Sequence, residues 1–512
     1  MKRDKRAVVN SGDDAAALAS LGHAQELRRS FSPLALLGLA FAILNSWTAL
    51  AAASSLALPS GGTSAVLWGL VVAGVCNLCL AASLAEFLSA WPTAGGQYHW
   101  VALVAPQSSR RALSFVTGWI SVCGWVALSA SAPFFCSSFV GNIVAVFNGG
   151  HELPPWQTFL LYVGFTSIGF VVNAFGTGLL PLITKAAFYW SMAGFVVMSI
   201  TVLACAAPNF QSAAFVYGEF RNSTGWPDGL AWLIGLLQGA FALTGFDAVA
   251  HMIEEIPEPQ VEGPRIMLVT IVIGVVTGFI SMSCLLFCLD SVEGVIESKL
   301  GPLLQMLMDA TESRAGSVCL LLLPIVCLVF TSVMLVCTSS RMTWAFARDG
   351  GMPLSHVFAR VHARLGVPLN ALLWTQAWVI VFGCVNLGST SGFSAITSAS
   401  VVALGVTYAI PPAVNMARGR RMLPASRAFR LSETVGWMVN AVGILWTVLT
   451  TVLFVFPPNL PTTASNMNYC IVAFGVMLCI ACLTWLVDGR KHYQGPRMDR
   501  ELLQQASMEE TS

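Results

Sequence analysis

Charge is what this chain has least of. Only 10% of its 512 residues are Asp, Glu, Lys or Arg, where soluble domains carry about a quarter. Hydrophobic residues reach 56% and the mean hydropathy is +0.73, which excludes an ordinary water-soluble protein. The 26 basic and 25 acidic residues leave a net charge of +1, so there is no basic surface for nucleic acid. Histidine numbers only seven, and none of the fourteen cysteines stands with histidine at zinc-ligand spacing; neither a metal nor a cofactor is expected. No nucleophile recurs with a base and an orienting group in one polar cluster, which argues against an enzyme. Cys479 and Cys482 form a C-x-x-C, but within an apolar run. With Cys76, Cys79, Cys319 and Cys327 they read as small core residues rather than redox groups. Met1 to Arg29 is polar and lacks the apolar centre of a cleaved leader, so the first apolar stretch is expected to serve as the insertion signal.

What the chain has in abundance is apolar stretches of roughly the 20 residues that a helical span needs. Twelve are predicted: Leu34 to Leu58, Val66 to Trp91, Ala112 to Val140, Phe159 to Phe175, Leu182 to Ala206, Leu230 to Met252, Ile266 to Leu289, Val318 to Arg341, Leu369 to Val385, Phe393 to Met416, Trp437 to Phe456 and Cys470 to Val487. An even number puts both termini on one side. With the N-terminus inside, all of the 26 basic residues but Arg221, Lys299 and Arg314 fall on the cytoplasmic side, as the positive-inside rule requires. A missed span would invert every later loop and destroy that asymmetry. Asn222-Ser223-Thr224 then forms a glycosylation sequon on the outer side, with Asn222 as acceptor. The hydrophilic tails, including Glu509 to Ser512, suit trafficking or turnover signals.

Two spans carry polar breaks where a plain anchor has none, and they sit five spans apart, which suggests two five-span halves. The first break is Asn45-Ser46-Trp47-Thr48-Ala49, with Pro59-Ser60-Gly61-Gly62 closing the outer end. Either these polar groups bond helix to helix while Trp47 packs, or the helix opens and its freed backbone groups hold a ligand at mid-membrane. The second break lies in Gly239 to Glu255, where Gly245 permits the opening. Asp247 is an ionisable group deep in the membrane: a carboxylate capping the start of the inner half-helix, or a direct partner for a substrate amine. His251 is read as a packing contact or a proton shuttle, and Glu254 and Glu255 as an inner gate or a solvated pair. Lys185, at the inner start of the fifth span, either snorkels to the interface or takes a coupling role as protons move.

The segments Phe41 to Trp47, Glu86-Phe87 with Pro92 to Tyr98, and Thr244 to Ala248 with Glu254-Glu255 resemble the amino acid/polyamine/organocation permease superfamily. Ser340 to Gly350, and Phe456-Pro457 through Leu460-Pro461 to Tyr469, resemble its fungal amino acid/choline transporter branch, which includes 4-aminobutyrate and choline permeases. The resemblance implies an all-α membrane fold of about twelve helices, leucine-transporter-like. Spans one to five and six to ten would be inverted repeats (34–206 and 230–416), with two peripheral helices (437–487) and cytoplasmic tails at 1–33 and 488–512. It implies a pocket lined by Asn45, Ser46, Trp47, Thr48 and Ala49 and by Thr244, Gly245, Phe246 and Asp247. Span three would add Ser121, Cys123 or Trp125, and span eight Thr331 or Ser332. Lys185 falls where proton-coupled relatives carry a lysine in place of sodium, with Thr331 beside that coupling position. In place of the superfamily's glycine-rich first break stands Ser46-Trp47-Thr48-Ala49. Trp47, Phe241 and Phe246 could face a cationic headgroup whose charge Asp247 balances.

The function expected from this resemblance is proton-coupled import of an amino acid or related amine such as 4-aminobutyrate or choline, in the plasma membrane or an internal membrane. The alternatives are an uncoupled facilitator or exchanger of a specialised metabolite, and a nutrient receptor on a transporter scaffold. The expected partners are a small amine or amino acid, protons and the lipid bilayer.

Overall fold

The computed structural model describes residues 19, 26, 27, 29–463 and 466–497. The chain-end sequences read above as signals lie largely outside these. Among the described residues the chain is all-helical, its one extended pairing being an isolated bridge between Ser60 and Asn222. Among the described residues, eleven helices are long and apolar enough to cross a membrane. The expected sixth span is instead two pieces, Asp228–Ala242 and Ala248–His251, which is the break anticipated around Gly245. The first span is likewise broken, into Pro33–Leu44 and Ser46–Ala52.

Burial ranks the spans from centre to rim. The first span is 83% buried over its most apolar window, the fourth and fifth 28% each and the twelfth 17%. A helix facing lipid on most sides stays apolar all round, because its backbone is already satisfied and lipid offers no partner to polar side chains. The twelfth span accordingly exposes Ile471, Val476, Leu483 and Val487. Cys319, Cys479 and Cys482 are exposed too, and Cys76 and Cys79 half-buried, which corrects the core reading for all of the six named cysteines except Cys327. A thiol is apolar enough to face lipid as readily as a protein interior.

Serine side chains start several spans. Ser32, Ser313 and Ser389 each accept the backbone N–H three residues on, at 3.2, 3.2 and 3.0 Å. Close helix contacts come from small residues: a Cβ on Gly38 would lie 2.3 Å from the Thr184 carbonyl oxygen, so only glycine lets the first and fifth spans touch there. Several short helices were not anticipated. A buried short helix, Gln97–Val104, follows the second span, and Pro302–Thr311 stands between the seventh and eighth. Buried Glu86, at the end of the second span, is held by Arg420, by Arg427 at 2.7 Å and by the Leu431 N–H at 3.0 Å, fastening the loop between spans ten and eleven.

The sequon lies in a half-buried loop. The Asn222 amide nitrogen donates to the Trp226 carbonyl at 2.6 Å and to Asp228 at 2.9 Å, and Thr224 is fully buried. The loop closes on itself because the asparagine oxygen also accepts the Thr224 N–H and hydroxyl.

Candidate functional site

The break in the first span turns on Asn45, whose φ of 34° is left-handed. Asparagine tolerates that conformation better than most residues, because its short amide can bond locally. Its Oδ1 accepts the Ser191 hydroxyl at 3.0 Å, and Ser191 in turn accepts the Trp47 indole N–H at 2.9 Å, pinning the break to the fifth span. The Ser46 hydroxyl donates at 3.0 Å to the carbonyl of Ala242, the last residue of the longer piece of the sixth span. The two breaks are therefore tied directly to each other. Thr331 of the eighth span joins them, its hydroxyl 2.7 Å from the Ala42 carbonyl. In the sixth span the chain passes through Gly245 at φ 99°, where a Cβ would lie 3.0 Å from Ile43.

Between the breaks lies a cavity of about 40 Å³, lined by Asn45 and Ala49, Ser131 and Phe135, Phe241 and Thr244, and Thr331 with flanking leucines. That is room for a few waters, too little for an amino acid unless side chains move apart. None of the described residues lining it is charged. The Asn45 amide nitrogen beside it is buried and without a partner, a donor available to a ligand. A wider cleft of about 370 Å³ is lined by Leu56 at the far end of the first span, Ile234 and Leu237 of the sixth, and Ser391, Ser394 and Ser398 of the tenth.

The opposite side, where the first span begins, is sealed. Glu254 takes a two-pronged contact from Arg348, at 2.9 and 3.1 Å, and accepts the Ala94 N–H at 3.0 Å. Glu255 pairs with Arg341 at 3.2 Å, and its carbonyl accepts the Phe31 N–H just ahead of the first span. These carboxylates are buried ion-pair partners, not a solvated pair. Below them the Tyr98 hydroxyl donates to Asp349 at 2.7 Å, and Asp349 also accepts the Arg497 N–H at 3.1 Å. Burial pushes the Asp349 carboxyl up to about 6, against the opposing pull of Arg348.

Asp247 sits between cavity and gate, fully buried. Its Oδ1 accepts the Tyr408 hydroxyl of the tenth span, while its Oδ2 accepts the Gln97 amide at 2.7 Å and lies 3.2 Å from His251 Nε2. It makes no side-chain cap to the helix that follows, which overturns the capping role, and in this conformation it stands outside the cavity lining.

Other expected positions move as well. Trp47 faces Ser191 and Gly194 of the fifth span, and Phe246 packs on Tyr408 with ring centroids 4.8 Å apart, so neither ring lines the cavity. Trp125 stands edge-on to His251 at 5.6 Å. Ser121 and Thr48 are buried without a partner, and Cys123 is half-buried away from the cavity. Ser332 lies against Gly169 of the fourth span. A four-residue register on the eighth span separates the two faces: Thr331 and Leu335 point to the cavity, Ser332 away. Lys185 is half-exposed, with no hydrogen bond or ion pair among the described residues; its backbone N lies 3.5 Å from where a Gly38 Cβ would be. Of the sixteen pocket and coupling candidates, the cavity gathers Asn45, Ala49, Phe241, Thr244 and Thr331. Sequence reasoning missed Ser131 and Phe135. Their signal is Ser129-Ala130-Ser131-Ala132-Pro133, a small-residue and proline interruption that divides the third span into Arg110–Leu128 and Ser131–Phe147.

A model of the amino acid permease family matches residues 31–478. The chain belongs to that family. It is a multi-pass membrane transporter, not an enzyme. The permease is 32% identical over 491 residues to a choline transporter of Saccharomyces cerevisiae, covering 94% of this chain and 85% of that one. It is 34% identical to a putative amino acid/polyamine transporter of Macrophomina phaseolina, covering 85% of this chain and 96% of the other. A swainsonine transporter of Arthroderma benhamiae is 28% identical, with 91% and 92% covered.

Proposed function

We propose that this permease is a proton-coupled importer of an amino acid or related amine, choline and 4-aminobutyrate among them, working by alternating access. The observation that carries the reading is the small cavity held between two broken spans, with a paired-ion gate on one side of it and a wider cleft on the other. This is the arrangement of a carrier with the substrate site shut, the next state requiring the gate to part. Because the lining is uncharged, an ammonium is met by the faces of Phe135 and Phe241 and by the carbonyl end of Asp228–Ala242. Spans one to five and six to ten act as two halves rocking about that site, with spans eleven and twelve peripheral. Both termini are cytoplasmic, in keeping with the basic residues, and the plasma membrane is the site of action.

The resemblance to a choline transporter favours an amine without a carboxylate, and the resemblance to an amino acid/polyamine transporter keeps the wider class in view. The test is uptake of radiolabelled choline, 4-aminobutyrate, neutral and basic amino acids and putrescine, in cells lacking their own permeases, with and without a protonophore. Protonophore-sensitive uptake of one compound is expected. Uptake that survives loss of the proton gradient would refute the coupling, and no uptake by protein shown at the cell surface would refute the carrier reading.

A further inference from the structure

The hydrogen bonds around His251 fall one proton short. Asp247 and His251 are four residues apart, on one face of the short inner piece of the sixth span, and both side chains are buried. His251 Nδ1 lies 2.9 Å from the Ala94 carbonyl oxygen, which only accepts, so this nitrogen carries a hydrogen. Nε2 lies 3.2 Å from Asp247 Oδ2. A neutral imidazole has a single N–H, already committed to Ala94, and its bare Nε2 would then face a carboxylate oxygen: two acceptors in contact. The other partners cannot resolve this, because Tyr408 and Gln97 already donate to the carboxylate from the far side. The contact is satisfied only with one more proton between Nε2 and Oδ2, as imidazolium against carboxylate or imidazole against carboxylic acid.

We propose that the Asp247–His251 pair is the proton-binding site that couples transport, in place of Lys185. This rests on the proton-coupled reading above. The pair occupies the hinge of the broken span, two residues beyond Gly245. It is joined to the gate through one residue, since Ala94 accepts from His251 and donates to Glu254. Binding adds a proton to one of the two facing atoms, and its release restores a bare Nε2 opposite a carboxylate. The repulsion between them then loosens the hinge from Ala94, and with it the Glu254–Arg348 contact.

Among the described residues, the elements packed on the pair bring these groups to it. The tenth span brings Tyr408, the third the Trp125 ring, and the helix after the second span brings Gln97. The first span carries no ionisable residue. The eighth brings Arg341 and Arg348, already bound to Glu255 and Glu254, the latter also facing His99. The seventh carries Glu262 and Arg265, paired with each other.

The test uses full-length protein in liposomes, the membrane potential clamped at zero, and as probe whichever radiolabelled compound of the panel the wild type carries. Counterflow at equal pH reads carrier function; accumulation driven by a one-unit pH difference reads coupling and is limited to about tenfold for one proton per substrate. His251→Gln should retain counterflow and lose accumulation, its ratio falling to about one. Asp247→Asn, whose amide can donate to Nε2 while still accepting from Tyr408, should do the same. Lys185→Gln should accumulate like the wild type. Wild-type accumulation by both His251→Gln and Asp247→Asn would overturn the site, as would loss of accumulation with preserved counterflow in Lys185→Gln. A wild type that counterflows without accumulating would instead overturn the proton-coupled reading itself, and failure to carry any of the panel would overturn the carrier reading.

Discussion

Replacing Arg348 by methionine should open the gate. Arg348 and Glu254 are both buried, with side chains 6% and 1% exposed, and the guanidinium also lies 4.4 Å over the Trp344 ring. Removing one partner of such a pair strands the other, at a cost of about 3–5 kcal/mol. Part of that cost falls on folding. The share confined to the closed state is relieved when Glu254 reaches water, so the balance between closed and open should shift about a hundredfold or more toward open. Cys337 offers a native reporter: it is fully buried on the eighth span, one turn before Arg341. Its labelling by a water-soluble maleimide, followed by peptide mass spectrometry, should accelerate strongly in Arg348→Met while uptake falls. Adding Glu254→Gln should restore much of the protection, because removing both partners leaves no stranded charge. An unchanged labelling rate in folded, surface-expressed Arg348→Met would refute the gate.

Three further outcomes follow from the geometry. Gly245→Ala places a side chain at φ 99° and 3.0 Å from Ile43; the strain, about 1–2 kcal/mol, should lower the maximal transport rate at matched surface expression, and a wild-type rate would argue against a tight hinge there. Phe135→Ala should raise KM about tenfold through loss of an aromatic contact, with surface expression unchanged, as measured by concentration-dependent uptake; an unaltered KM would remove the third span from the site. Burial raises the Asp349 carboxyl to about 6 from its ordinary 3.8. A group that binds protons more tightly when buried stabilises the closed gate as pH falls. If opening hydrates the carboxylate, the gain from pH 7 to pH 5 approaches about tenfold, and it is lost again as pH rises through about 6. Cys337 labelling with the gate side held at pH 5 should therefore be slower than at pH 7, and Asp349→Asn should remove much of that difference.

Membrane periodicity and the two breaks were legible because each is a local property. A run of apolar residues spans on its own account, and Asn45 and Gly245 both take a backbone conformation that their own residue types permit. The partners of Asp247 were not legible. Gln97 stands 150 positions before it and Tyr408 161 after, separations at which no sequence spacing pairs residues. The same holds for Ser131 and Phe135, whose interruption of the third span is audible only once the neighbouring helices face it. The aromatic residues Trp47 and Phe246 misled because a ring at a helix break satisfies packing as well as recognition, and which it does depends on rotation about the helix axis.

By itself the sequence determined a twelve-stretch apolar chain, two interrupted spans five apart, a one-sided distribution of basic residues, and the motifs of a permease. Only the tertiary structure decided which polar groups meet: that Asp247 answers Tyr408, Gln97 and His251 rather than the cavity, that Glu254 and Glu255 are ion-paired with Arg348 and Arg341, and that the central cavity is uncharged. The reason is physical. Hydropathy acts residue by residue against the bilayer, whereas in a membrane interior a polar side chain must find its partner among helices that the chain brings together from far apart.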